Sequence, residues 1–269
     1  MKREATSLSL GAWYGVIVLF LFAPIATSIV YSFNLGTLGK QTSLFTGWTL
    51  GWYGAAWEDL SLRASVATSL EVAFWAAAVS LAIGSILGFV LVRYRKPVVR
   101  RLLSTATYLL LIVPETVTGV SLLLFYAETR IPLSKATLLA GLTPSAIAVT
   151  ALIIRARVLT LDRQIEEAAA DLGADRWAVL WLVVLPQLLP AVAAGGLMAY
   201  VFSFDNVVVS SFLTTPAVNT LPVYLYGSLQ YGPAPTVYAA ATAVFLFTLL
   251  ALSLALLCYR LAGRRHVLP

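Results

Sequence analysis

Apolar residues gather in six long runs, roughly 10–33, 66–92, 102–126, 137–154, 185–210 and 237–259, separated by shorter polar stretches. A helix that crosses a hydrocarbon core of ~30 Å needs ~20 mostly apolar residues, which each run approaches or exceeds. Strands of a membrane barrel would instead alternate apolar and polar positions over ~10 residues. Val16-Ile17-Val18-Leu19-Phe20-Leu21-Phe22 has no such alternation, so the pattern predicts an all-α membrane protein with six transmembrane helices. The first run exceeds the apolar stretch of an ordinary secretory signal, and Ala23-Pro24-Ile25-Ala26 is a poor cleavage context, so it reads as a retained first helix.

Composition agrees with this reading. Of 269 residues, 60% are hydrophobic and 11% charged, against roughly 25% charged in an average soluble domain. Mean hydropathy is +0.88. These values exclude a disordered chain and a disulfide scaffold, and the single cysteine, Cys258, permits no internal disulfide. No repeat period, soluble domain or linker is visible, so residues 1–269 are expected to form one membrane domain.

The net charge of +6 has a positional explanation. Cytoplasmic flanks of membrane helices hold an excess of Lys and Arg. With both termini placed in the cytoplasm, fourteen of the eighteen basic residues fall inside, and Lys40, Arg63, Arg130 and Lys135 remain outside. The excess is topology, with no basic stripe for nucleic acid. The outer segment 34–58 carries Trp48, Trp52 and Trp57, suited to the headgroup belt of the surrounding lipid.

Between the fourth and fifth runs the composition changes: Asp162, Arg163, Glu166, Glu167, Asp171, Asp175 and Arg176 fall close together. The segment 162–185 is expected to form a cytoplasmic helix–turn–helix elbow. Gly173 suits the left-handed conformation that ends a first helix over 163–172, and Asp175 suits an N-cap for a second. Glu167-Ala168-Ala169-Ala170 gives the first helix a smooth face that another protein's backbone can approach, and Leu185-Pro186 is expected to turn the chain back into the bilayer.

Glu71, Glu115 and Asp205 lie within the apolar runs, where an ionisable group is costly and marks function by default. At 1.5 Å per residue Asp205 falls near the outer third of the fifth helix, where an entering cation meets it early. Glu115 follows Pro114, which removes an intrahelical hydrogen bond and is expected to bend the third run, so two roles stand open: satisfying amides freed by the proline, or contacting substrate. Glu71, near the outer end of the second run, suits snorkelling. Tyr126, Phe202, Phe204, Tyr224, Tyr226 and Tyr231 offer faces for ammonium groups. Gly195-Gly196 permits close helix approach, either to a second subunit or within the chain.

No Gly-x-x-x-x-Gly-Lys-Ser/Thr sequence occurs, so the chain has no such ATP site. His266 is the sole histidine, no Cys/His cluster suits a metal, and no Gly-x-Ser-x-Gly elbow suits hydrolysis. Neither a cofactor nor catalysis by this chain is expected.

Glu167-Ala168-Ala169, Gly173, Val183 and Leu185-Pro186, at their spacing, resemble the signature of ABC importer permeases of the type I, six-helix-core class. Val113-Pro114-Glu115, Gly119-Val120-Ser121, Ser203-Phe204-Asp205-Asn206 and Thr220-Leu221-Pro222 are similar to the spermidine/putrescine branch. The resemblance implies a subunit of the bacterial inner membrane whose elbow is the coupling helix. Glu166, Glu167, Ala168, Ala169, Asp171, Gly173, Leu185 and Pro186 would engage a cytoplasmic ATPase dimer. It further implies an extracytoplasmic substrate-binding protein and a second, homologous permease, in this branch a different chain. Asp205, Glu115, Asn206 and Phe204 would line the substrate path. Two departures bear on the solute. Asn206 stands where many polyamine permeases carry a second acid, and Leu142-Thr143-Pro144 stands where a histidine often occurs. Related permeases handle sulfate, molybdate, iron and phosphonates. The rival from another class is a stand-alone secondary transporter, which brings down no ATPase even after crosslinking at Ala169.

Overall fold

A computed structural model describes residues 2–37, 41, 44–230, 232 and 234–264; for 2–12, 251, 252 and 254–264 it describes the backbone alone. Lys40, Tyr231, Arg265 and His266 lie outside the described residues, as does the side chain of Cys258. The chain divides into two compact units, Met1–Leu62 with Leu225–Pro269, and Arg63–Tyr224.

In the first unit α1 (Lys2–Tyr31) and α12 (Pro235–Arg264) pack together, and α2 (Gly51–Glu58) packs on α12. The Tyr31 and Tyr238 rings lie 6.1 Å apart. The segment between α1 and α2 closes on Asn34, which is buried. Its Oδ1 accepts from the Thr46 amide at 2.7 Å, its Nδ2 donates to Gln41 at 2.9 Å, and its carbonyl accepts from the Trp52 indole at 3.0 Å. Trp48 and Trp57 are exposed as a lipid-facing belt requires, whereas Trp52 is half-buried and occupied by this bond.

The second unit holds α3 (Leu60–Arg93) from Arg63 onward, α4 (Pro97–Ile112), α5 (Glu115–Glu128), α6 (Lys135–Leu159), α7 (Arg163–Asp171), α8 (Arg176–Ala178), a π-helical turn (Val179–Val184), α9 (Leu185–Phe204) and α10 (Val208–Leu213). The boundary at Tyr224 and Leu225 falls within α11 (Leu221–Gln230). Helix α6 opens on a capping box, in which Ser134 and Thr137 each bond the other's amide. It is the central helix of the unit, with Leu138, Ala146, Ala148, Ala151 and Ile154 fully buried.

Two apolar clusters flank its length. One joins Val72, Tyr126, Leu138, Leu142, Val209 and Leu213, and the other joins Ile154, Val158, Leu161, Val184 and Leu188. Between them the helices meet through small residues. A methyl group on Gly88 would lie 2.5 Å from the Ala151 carbonyl, and one on Gly84 would lie 2.7 Å from Thr150 Cβ. Gly195 abuts Thr150, whose hydroxyl donates to the Gly195 carbonyl at 3.3 Å. In lipid, where apolar burial drives little association, such close backbone approach and a bond between helices hold the bundle together. Gly195 and Gly196, the latter against Leu81, are therefore used within the chain.

Among the described residues four helical stretches have the length and composition to cross a membrane: Trp13–Tyr31, Leu60–Arg93, Lys135–Leu159 and Arg176–Phe204. Two expectations are corrected. The run at 102–126 is not one helix: α4 and α5 meet at 96°. Val113 and Pro114 are both extended, because a residue before proline disfavours the helical region and proline itself lacks the N–H that would continue the ladder. The run at 185–210 begins earlier and ends sooner, since helix continues from Arg176 through the π turn to Phe204 without a bend at Leu185-Pro186. Pro186 sits in the first turn of α9, where its missing N–H costs least. The run at 237–259 lies in α12, whose stretch Pro235–Leu250 is a shorter apolar helix.

Candidate functional site

The elbow between α6 and α9 is shaped by its own sequence. Asp162 caps α7, accepting from the Gln164 amide at 2.9 Å. Gly173 has φ +92°, and the helix closes with the Ala174 amide on the Ala169 carbonyl at 3.1 Å and the Gly173 amide on the Ala170 carbonyl at 2.9 Å. This pair of bonds with a left-handed glycine is the Schellman stop. Asp175 starts the next helix by accepting from the Ala178 amide at 2.7 Å.

No residue of α7 is buried. Glu167, Ala168, Asp171 and Gly173 are exposed, Ala169 is half-buried, and Leu172 is 91% exposed. Trp177, Trp181 and Leu182 also show large apolar surfaces. Glu166 differs from its neighbour Glu167: it turns inward and is ion-paired with Arg93, the last residue of α3. Leu185 is half-buried and Pro186 exposed, both within α9.

A second constellation sits where α9 ends. Asn206 is buried, and its Nδ2 donates to Glu115 Oε2 at 3.1 Å. Its Oδ1 accepts from the amides of Val209 and Ser210 at 2.9 and 3.4 Å, so one side chain caps α10 and fixes a carboxylate in the first turn of α5. The break after Val113 is what brings Glu115 there. The carboxylate takes a neutral amide side chain as partner, which leaves its negative charge unbalanced by any described Lys or Arg. Ser203 and Ser210 hydroxyls are buried without a hydrogen-bond partner among the described residues.

Asp205 is the C-cap of α9 and exposed. Phe204 is half-buried and stacks with Tyr200, ring centroids 6.1 Å apart. Of the other aromatic candidates Tyr126 belongs to the core, its hydroxyl on the Thr137 carbonyl at 3.4 Å, so it offers no open face. Glu71 has a partner that its sequence neighbours do not reveal. It pairs with Lys135 at 2.5 Å, and both side chains are about half exposed.

Sequence reasoning missed Arg93, which it read as a topology charge alone, and the Gly84/Gly88 contact. The second had a readable signal, Gly84-Ser85-Ile86-Leu87-Gly88. The first had none, because its partner lies 73 residues away.

Residues 80–266 match the family described as binding-protein-dependent transport system inner membrane component. The chain belongs to this family of ABC importer permeases. Like its relatives, this permease is a multi-pass transport subunit of the inner membrane and is not itself catalytic. It is 34% identical to the putrescine transport system permease protein PotI of Escherichia coli (strain K12), over 86% of this chain and 85% of that one. It is 33% identical to the spermidine/putrescine transport system permease protein PotC of the same strain, over 89% of each. The permease also shares its fold with a chain of a bacterial alginate ABC transporter solved with an alginate-pentasaccharide-bound periplasmic protein. There the TM-score is 0.72 at 14% identity, covering 98% of this chain and 96% of that one.

Proposed function

We propose that this permease is one of two different membrane subunits in an ATP-driven importer of polyamines. The observation that carries the solute class is the Glu115 carboxylate, held by Asn206 in an apolar helical region and left without a cationic partner. An amine of the substrate would supply the missing charge, and an uncompensated carboxylate in such a setting repels oxyanions. Identity to the putrescine and spermidine/putrescine permeases over most of the chain supports the same reading.

The chain acts as one permease domain with six spans and both ends on the cytoplasmic side. The elbow at 162–185 seats in a cytoplasmic ATPase dimer, its exposed Ala168 and Leu172 meeting the partner and its exposed Glu167 and Asp171 meeting basic groups at the rim, while Glu166 faces Arg93 of the permease itself. Leu185 and Pro186 link the elbow to α9. Closure of the ATPases pulls on this elbow and opens the path outward. A soluble binding protein then delivers substrate from the outer side, and Asp205, Phe204, Asn206 and Glu115 lie along its way.

Uptake of labelled putrescine and spermidine by cells or proteoliposomes carrying the full complex is the test, with sulfate as the anionic control. Asp205→Asn and Glu115→Gln are each expected to lower amine uptake about tenfold or more while the permease stays at normal abundance in the membrane. Wild-type uptake in both variants, or uptake of sulfate in place of amines, defeats the assignment. Failure to capture an ATPase through a crosslinker at Ala168 would favour a stand-alone transporter.

A further inference from the structure

We infer that Arg93 and Glu166 form a positioning pair that fastens α7 to α3 and carries displacement of the elbow into the helix core. The inference rests on the proposed seating of α7 against an ATPase and adds how the push travels onward.

Helix α7 buries none of its own residues, so packing alone holds it weakly. Its flanks are anchored, with Leu161 before it and Val184 after it in the same apolar cluster. Within α7 the one ion pair among the described residues is Glu166 with Arg93. Both side chains are largely covered, at 22% and 16% exposure, and Arg93 Nε is buried with no hydrogen-bond partner. A guanidinium so placed leans on its single carboxylate, since removing one member of a covered pair strands the other's charge away from water. The adjacent glutamates thus divide the work, Glu166 facing the permease's own core and Glu167 exposed for a partner.

What Arg93 is attached to decides the consequence. It ends α3, an unbroken helix. About one and one-half to two and one-half turns before it, Gly88 and Gly84 lie one turn apart and touch α6 without intervening flexible side chains. Their missing methyl groups would fall 2.5 Å from the Ala151 carbonyl and 3.0 Å from the Ile147 carbonyl. Backbone carbonyls and the Cβ atoms of Thr150 and Ile154, which also meet these glycines, cannot step aside by rotamer change, so α3 and α6 must move together. Thr150 on the same face of α6 donates to the Gly195 carbonyl of α9 at 3.3 Å, and α9 ends at Asp205 beside the Asn206–Glu115 pair. A continuous series of rigid contacts therefore joins the elbow to the polar constellation.

The test uses the whole complex in proteoliposomes, with ATP hydrolysis and amine uptake measured on the same preparation. Three variants serve: Glu166→Gln; Arg93→Met with Glu166→Leu, which leaves no stranded charge should the single variant fail to fold; and the exchange Arg93→Glu with Glu166→Arg. Expected is normal capture of the ATPase, continued hydrolysis, and about tenfold fewer amines imported per ATP in the first two, the size of effect residues on such a path carry. The exchange should recover much of the loss. Unchanged uptake per ATP in the Met/Leu variant overturns the proposal, as does an exchange that recovers nothing. Lost ATPase capture in these variants would reassign Glu166 to docking and also overturn it. If the parent permease itself captures no ATPase, the docking reading fails and the coupling role falls with it.

Discussion

Gly88 leaves no room for a methyl group, whereas Gly15 has nothing within 4 Å of the position a methyl would occupy. Gly88→Ala should lower stability by about 1–3 kcal/mol through overpacking, because the atom it meets is backbone and cannot step aside. Gly15→Ala should leave stability unchanged or slightly raised, since alanine is the better helix former. Thermal unfolding of the purified permease in one detergent separates the two. Asn206 illustrates a different economy, one amide serving Glu115 and the first amides of α10 together. Asn206→Ala removes a cap worth about 1 kcal/mol and frees the carboxylate, so the same unfolding assay should show a loss of at least that size.

The elbow shows how much of an element local chemistry can set. Asp162, Gly173 and Asp175 start, stop and restart helix by bonds within a few residues of themselves. Gly173 has open space around it, so replacing it tests conformation alone. Gly173→Ala should cost about 1 kcal/mol from the left-handed backbone, and Gly173→Asn less. Hydrogen exchange of the α7 amides should accelerate about fivefold in the alanine variant and only slightly in the asparagine one. The break between α4 and α5 is set just as locally, by Val113 and Pro114: the proline marks a bend, but the size of its angle, 96°, is not written in the apolar pattern. An apolar run continues through it, and hydropathy is blind to direction.

For the whole chain, the proposed arrangement of six spans can be checked with the single native cysteine removed. In a Cys258→Ala background, Leu172→Cys should react with an impermeant maleimide only in inside-out vesicles. Trp57→Cys should react in cells with a permeable outer envelope; labelling of both from one side would refute the orientation. What the sequence by itself determined is the set of apolar helices, the acid-rich elbow with its caps, and the family, all properties carried by residues close together along the chain or by their spacing. Tertiary structure alone decided which group each of three acids faces: Glu166 meets Arg93, Glu71 meets Lys135, and Glu115 meets the neutral amide of Asn206. It also assigned Gly195 and Gly196 to packing within the chain. Those pairings join residues 64 to 91 positions apart. Hydropathy reports a residue's preference for lipid or water, and it contains no term for which distant residue stands opposite.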